Sequence, residues 1–126
     1  MRLTKMLIIL VLGGFSVLAA AGTKTNTAVY IATSWGFAEG GLSSARYSSN
    51  GLEYISCDSY SSGYITCSAR DASGVSAYCS TSTTGSPAFA GAIAGMNSAS
   101  FVAFWWDTTS GACTNILLRN GSNYLP

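Results

Sequence analysis

Apolar and polar positions alternate in three short runs near the middle of the chain: Tyr54–Asp58 (YISCD), Tyr64–Arg70 (YITCSAR) and Val75–Ser80 (VSAYCS). A period of two is the mark of a strand with one buried face. Ser/Gly-rich turns at 59–63 and 71–74 separate the runs, so the three read as an antiparallel meander. A first hairpin centred on Ser62 sets Cys57 opposite Cys67 and Ile55 opposite Ala69. A second centred on Ser73 sets Cys67 opposite Cys79 and Ala69 opposite Ala77. Both hairpins agree on which side is apolar, and a one-residue slip in either would invert it. The odd-numbered face, with Ile55, Cys57, Ile65, Cys67, Ala69, Val75, Ala77 and Cys79, is the expected core face. The even-numbered face carries Tyr54, Ser56, Asp58, Thr66, Ser68, Arg70, Ser76 and Tyr78, polar with aromatic posts.

The rest of the chain extends this sheet. Ser44-Ala45-Arg46 precedes a turn and then Tyr54 and Cys57, as Ser68-Ala69-Arg70 precedes a turn and then Tyr78 and Cys79. The echo predicts a fourth strand over Leu42–Tyr47, its hairpin centred on Asn50. That places Ala45 beside Ile55, and Arg46 beside Tyr54 in a row Arg46–Tyr54–Arg70 with cation–π contacts. Ala28–Thr33 is a further strand candidate. Phe101–Trp106 (FVAFWW) is continuously apolar and predicts a strand covered on both faces, with at least one of Trp105 and Trp106 in the core. Asp107–Gly111 turns it into Cys113–Arg119. Pro87 opens a short helix over Ala88–Met96, ended by Asn97. Trp35, beside Gly36 in a loop, is the better candidate for a free aromatic ring. The expected fold is mainly β: an antiparallel meander sheet of about five to seven strands with one short helix and two disulfides.

The first 21 residues stand apart. Arg2 and Lys5 precede the apolar run Met6–Leu12, extended by Phe15, Val17 and Leu18, and Ala19 and Ala21 supply the small residues of an A-x-A-like cleavage site. This is the pattern of a secretory signal peptide, so residues 22–126 are read as one disulfide-stapled β-rich domain that is secreted or periplasmic. The run is interrupted by Gly13 and Gly14, and no later segment is apolar enough to span a bilayer.

Export changes the meaning of the cysteines. Cys57, Cys67, Cys79 and Cys113 are an even set in an oxidising compartment, which reads as two disulfides. Their spacings hold no C-x-x-C pair, the usual sign of zinc. In the meander, Cys57 and Cys79 flank Cys67 and lie about two strand spacings apart, too far to bridge. Two pairings remain: Cys57–Cys67 with Cys79–Cys113, which is preferred, and Cys67–Cys79 with Cys57–Cys113.

Composition narrows the chemistry. Charged residues are 9% of the 126, against about a quarter in ordinary soluble domains. Cleavage after Ala21 removes Arg2 and Lys5 and leaves four basic against five acidic side chains, and 30 of the 105 remaining residues are Ser or Thr. There is no basic surplus for nucleic acid. Histidine is absent, which removes the usual triads and an imidazole-activated thiol. The D-T-T-S-G run at Asp107 resembles an aspartic-protease loop only superficially, because no second loop completes a dyad. Glu53 and Asp58 fall on opposite faces by register and make no glycosidase pair. The sequence calls for no cofactor and no metal, and no enzyme is read from it.

What remains is the even-numbered face. Aromatic rings stack on the apolar faces of sugars, and neutral hydroxyls with a cation satisfy polar groups. Arg46, Tyr54, Asp58, Arg70 and Tyr78 are the candidate ligand-binding residues, although a merely solvated sheet face shows the same alternation. The motifs Ala45-Arg46, Tyr54-Ile55-x-Cys57, Cys67-x-Ala69-Arg70, Cys79 and Gly111-x-Cys113-Thr114 resemble a group of small exported bacterial proteins with four cysteines and no assigned activity. The resemblance covers roughly residues 40–126. It implies a bacterial source and two disulfides, and no catalytic residues. The expected function is a non-enzymatic exported protein that binds carbohydrate or another cell-envelope surface. The alternatives are a structural or self-associating surface or matrix protein, and a secreted inhibitor or toxin on a disulfide scaffold.

Overall fold

In the computed structural model, residues 22–82 and 84–125 are described; the expected signal segment, residues 1–21, lies outside them. Seven strands and two α-helices follow one another as β1 (Tyr30–Ala32), β2 (Phe37–Gly41), α1 (Leu42–Arg46), β3 (Tyr54–Ser59), β4 (Ile65–Arg70), β5 (Ser76–Ser80), α2 (Pro87–Ile93), β6 (Ser100–Trp106) and β7 (Cys113–Asn120). All strand pairs are antiparallel, as the alternation requires. They form two sheets: the meander β3-β4-β5, and a four-stranded sheet β1-β2-β6-β7.

The meander has the register that parity dictates. Cys57 faces Cys67 and Cys67 faces Cys79; Ile55 faces Ala69 and Ala69 faces Ala77. Apart from Ser59 at the end of β3, the odd-numbered side chains of its strands are buried, with Ile65, Cys67, Ala69 and Cys79 fully so. They join Ala38, Val102, Phe104 and Ile116 of the other sheet in one core. Each fully buried large side chain there, such as Phe104, contributes about 1.5–3 kcal/mol. Cys57–Cys67 bridges neighbouring strands with Cα atoms 4.0 Å apart, and Cys79–Cys113 ties the meander to β7 at 5.0 Å. Alongside the second bridge, the Ser80 amide donates to the Gly111 carbonyl at 3.2 Å, so the two sheets are pinned at that corner.

The apolar run Ser100–Phe104 is buried on both faces, as its composition demands. A bulge follows. Trp105 pairs with Asn115 but Trp106 pairs with Cys113, so the chain skips Thr114. Trp106 then packs against the core, while Trp105 belongs to the opposite face with Phe37. Trp35 is 82% exposed.

Three expectations need correction. The expected fourth strand at Leu42–Tyr47 is the helix α1. Its two serines serve different partners: Ser43 Oγ donates to the Ser98 carbonyl, and Ser44 Oγ accepts from the Thr27 amide at 3.0 Å. The loop after it is closed by Asn50 Oδ1, which accepts from the Leu52 and Glu53 amides, so no hairpin forms about Asn50. Ala45 still reaches Ile55 in the core, by way of a helix. Val75, expected on the core face, is 41% exposed, because it lies at the hairpin tip before β5 begins, closing the turn with Asp71. The second helix runs from Pro87 to Ile93 rather than to Met96. Ser86 caps its start by accepting from the Phe89 amide, and its last turn ends ahead of Gly95.

Candidate functional site

The outward face of the meander gathers the residues singled out from the sequence. Across the three strands Tyr54 faces Arg70 and Arg70 faces Ser76; Ser56 faces Ser68 and Ser68 faces Tyr78; Asp58 faces Thr66 and Thr66 faces Ser80. Because side chains alternate, all of these share one face. Tyr54 and Tyr78 stand in solvent at 44% and 55% exposure, and Asp58 and Arg70 are exposed. Ser56 and Ser68 hydroxyls meet at 3.3 Å, and Thr66, on the central strand, is buried. The face is thus a floor of hydroxyls flanked by rings.

Two rings were missed. The Tyr64 hydroxyl lies 3.4 Å from that of Tyr78, and the Tyr60 ring centroid is 5.5 Å from that of Tyr64. Tyr64 opens the alternating run Tyr64–Arg70 with the parity of Thr66, the signal that places it on this face; in the structure it stands one residue before β4. Tyr60 was read as a turn residue. The hydrogen bond from Tyr78 lowers the Tyr64 phenol below the usual tyrosine value, helped by Ser80. The same bond raises Tyr78.

Arg46 reaches this neighbourhood by a different route from the expected one. It sits at the end of α1, and with Tyr54, Glu53 and Ile55 it lines a depression of about 420 Å³. The expected cation–π row does not form. Among the described residues the cation set over a ring is Arg119, 5.9 Å from the Phe101 centroid, because Arg46 arrives on a helix and not on a paired strand.

Beside that depression is a larger cleft of about 620 Å³, which alternation could not reveal. One wall is the extended segment before β1: Thr25 donates to the Asn123 carbonyl at 2.7 Å, and Val29 donates to Glu53 Oε1 at 2.8 Å. The other walls come from α1, the loop after it and the C-terminal turn. Lys24, Tyr47, Asn50, Glu53 and Tyr124 line it. Ser48 and Glu53 line both cavities, so the two adjoin. Glu53 Oε2 accepts from Asn50 Nδ2 at 2.6 Å, which leaves both carboxylate oxygens engaged by the protein itself.

The outer face of the four-stranded sheet is aromatic as well. Tyr30, Phe37 and Trp105 form a chain with centroid separations of 6.3 and 4.9 Å. The Asp107 carboxylate serves its own turn: Oδ1 accepts from the Ser110 amide at 2.7 Å and the Thr109 amide at 3.0 Å, and these bonds, Ser110 first, hold its pKa below the usual value. Among the described residues, no group of three or more His, Cys, Asp or Glu is placed to hold a metal ion, and no helix is long and apolar enough to cross a membrane. Comparison with protein-family models, curated proteins and solved structures gives no match.

Proposed function

We propose that the chain is an exported, non-enzymatic glycan-binding module that works through the tyrosine face of the meander. The observation that carries this reading is the common orientation of Tyr54, Tyr64 and Tyr78 over a floor of serine and threonine hydroxyls. Rings held on paired strands present their faces with little conformational entropy left to lose, and neighbouring hydroxyls supply neutral donors and acceptors. Arg70 and Asp58 add one charge of each sign at opposite ends of the face. Two disulfides in so small a chain suit an oxidising compartment, secreted or periplasmic. The test is retention on a panel of immobilised polysaccharides. Tyr54→Ala and Tyr78→Ala should each weaken retention about tenfold, the loss expected for one ring–ligand stack, with the far-ultraviolet spectrum unchanged. A folded wild-type protein that no polysaccharide retains would overturn the reading.

One observation favours a second reading, self-association. The contiguous rings of Tyr30, Phe37 and Trp105 form an apolar strip on the other sheet, in a protein of low charge. Light scattering over a concentration series decides it. A strict monomer at high concentration removes this reading.

A further inference from the structure

The basic side chains outside residues 1–21 are Lys24, Arg46, Arg70 and Arg119. Three of the four gather at one end of the molecule. Lys24 lines the larger cleft, Arg46 lines the adjoining depression, and Arg70 stands on the meander opposite Tyr54, which lines that depression too. All three are exposed. Aromatic rings are interleaved with them: Tyr47 and Tyr124 in the cleft, and Tyr54 between Arg46 and Arg70.

Two carboxylates occupy the same end, with both oxygens of Glu53 and one oxygen of Asp71 engaged by the protein itself. Glu53 accepts from the Val29 amide and from Asn50. Asp71 Oδ1 accepts from the Ser73 and Val75 amides, each at 2.9 Å. A carboxylate that accepts backbone hydrogen bonds has fewer lone pairs to offer a ligand, whereas an exposed ammonium or guanidinium keeps its donors. The three exposed cations outnumber these two carboxylates, and rings stand among them.

We infer that the glycan taken by this protein is acidic, a uronate-bearing chain. Its path leads from the tyrosine face, past Arg70, Tyr54 and Arg46, into the cleft at Lys24 and Tyr47. This rests on the glycan-binding reading and adds the ligand's charge and route. Carboxylates on successive sugars meet the three cations, while the sugar faces meet the rings. The cleft, adjoining the depression at Ser48 and Glu53, holds one end of the chain.

Polygalacturonate and its carboxyl-reduced, uncharged counterpart separate charge from backbone shape. Affinity electrophoresis of the wild-type protein should show retention on the acidic polymer, weakening as salt is raised, and little retention on the reduced one. Lys24→Gln and Arg46→Gln should each weaken binding to polygalacturonate about tenfold. Tyr47→Ala, at a ring 70% exposed and therefore safe for the fold, should weaken long oligogalacturonates and spare the shortest. Equal retention on both polymers, or Lys24 and Arg46 variants that bind like wild type, overturns the acidic-glycan inference. In that event a Tyr78→Ala variant that still loses retention keeps the glycan reading intact. A wild-type protein held by neither polymer also overturns the inference, and the wider polysaccharide panel then decides the parent reading separately.

Discussion

Tyr64 and Tyr78 share a hydrogen bond between their hydroxyls, 3.4 Å apart, at the edge of the meander's outer face. Two phenols so linked do not titrate alike. With Tyr78 as donor, Tyr64 ionises first, below the ordinary value of 10.0, and Tyr78 afterwards, above it. Between the first step and the ordinary value the unfolded chain holds the extra proton, so the pair's contribution to stability rises with pH. Beyond the ordinary value the folded chain holds it, and the contribution falls. Tyr78→Phe removes the donor and should return Tyr64 toward 10.0. Phenolate absorbance, or carbon-13 shifts of the phenol carbons, will show whether the low step disappears.

The Cys79–Cys113 bridge closes a sequence separation of 34 residues and joins the two sheets. Cys57–Cys67 closes a separation of 10 within one sheet. Loop-closure entropy gives about 4 kcal/mol for the first and about 3 kcal/mol for the second. The Cys79→Ala/Cys113→Ala double variant should therefore lose more stability in urea than the Cys57→Ala/Cys67→Ala variant. The opposite order would mean that strand pairing at Cys57 matters more than the sheet-to-sheet tie.

Gly36 is buried with φ 61°, and a Cβ there would stand 2.1 Å from the Trp106 carbonyl oxygen. The Gly36 carbonyl also accepts from the Trp106 amide at 2.9 Å, so neither chain can withdraw. Gly36→Ala should cost at least about 2 kcal/mol, from a disfavoured backbone region together with a backbone clash. Gly51 has a comparable φ of 65° with open space around it, and its alanine variant should cost less. Urea midpoints of the two variants measure the difference.

Trp35 and Trp106 should report different environments. Trp35→Ala is expected to change stability by less than about 0.5 kcal/mol and to remove the most quencher-accessible part of the tryptophan emission. Trp106→Ala, which opens the core beside Phe104, should cost about 3 kcal/mol. Acrylamide quenching and thermal melts of both variants check the pair.

The meander was legible because three cysteines, two isoleucines and the alanines between them fix one parity across two hairpins, and only one register satisfies it. Distance then excluded a Cys57–Cys79 bridge and left two pairings, of which the preferred one, Cys57–Cys67 with Cys79–Cys113, is the one that forms. Residues 42–47 were not legible. Leu42 and Ala45, three apart, suit a helical face rather than a strand face, but the segment is too short for that spacing to outweigh the Ser-Ala-Arg echo, and the partners that decide the matter, Ser98 and Thr27, are distant in sequence. The division into two sheets was hidden for a related reason, since β2 pairs with β6 across some sixty residues of intervening chain. Of the candidate site, Tyr54, Asp58, Arg70 and Tyr78 came from alternation and lie together. Arg46 was brought beside Tyr54 by a helix, and the cleft, built from three distant segments, left no local pattern to read.

The strap before β1 also brings residues from opposite ends of the domain into contact. Thr25 donates its amide to the Asn123 carbonyl, and Asn123 Nδ2 donates to the Thr25 hydroxyl at 3.0 Å. A short peptide could therefore splice position 125 to position 23 with almost no detour, and fresh termini could be opened in the exposed 107–111 turn. Such a circularly rearranged chain should keep both sheets and both sulfur bridges. It would also move the fusion point for a label or an anchor to the far end of the β6–β7 hairpin, away from the cleft at Lys24 and Tyr124.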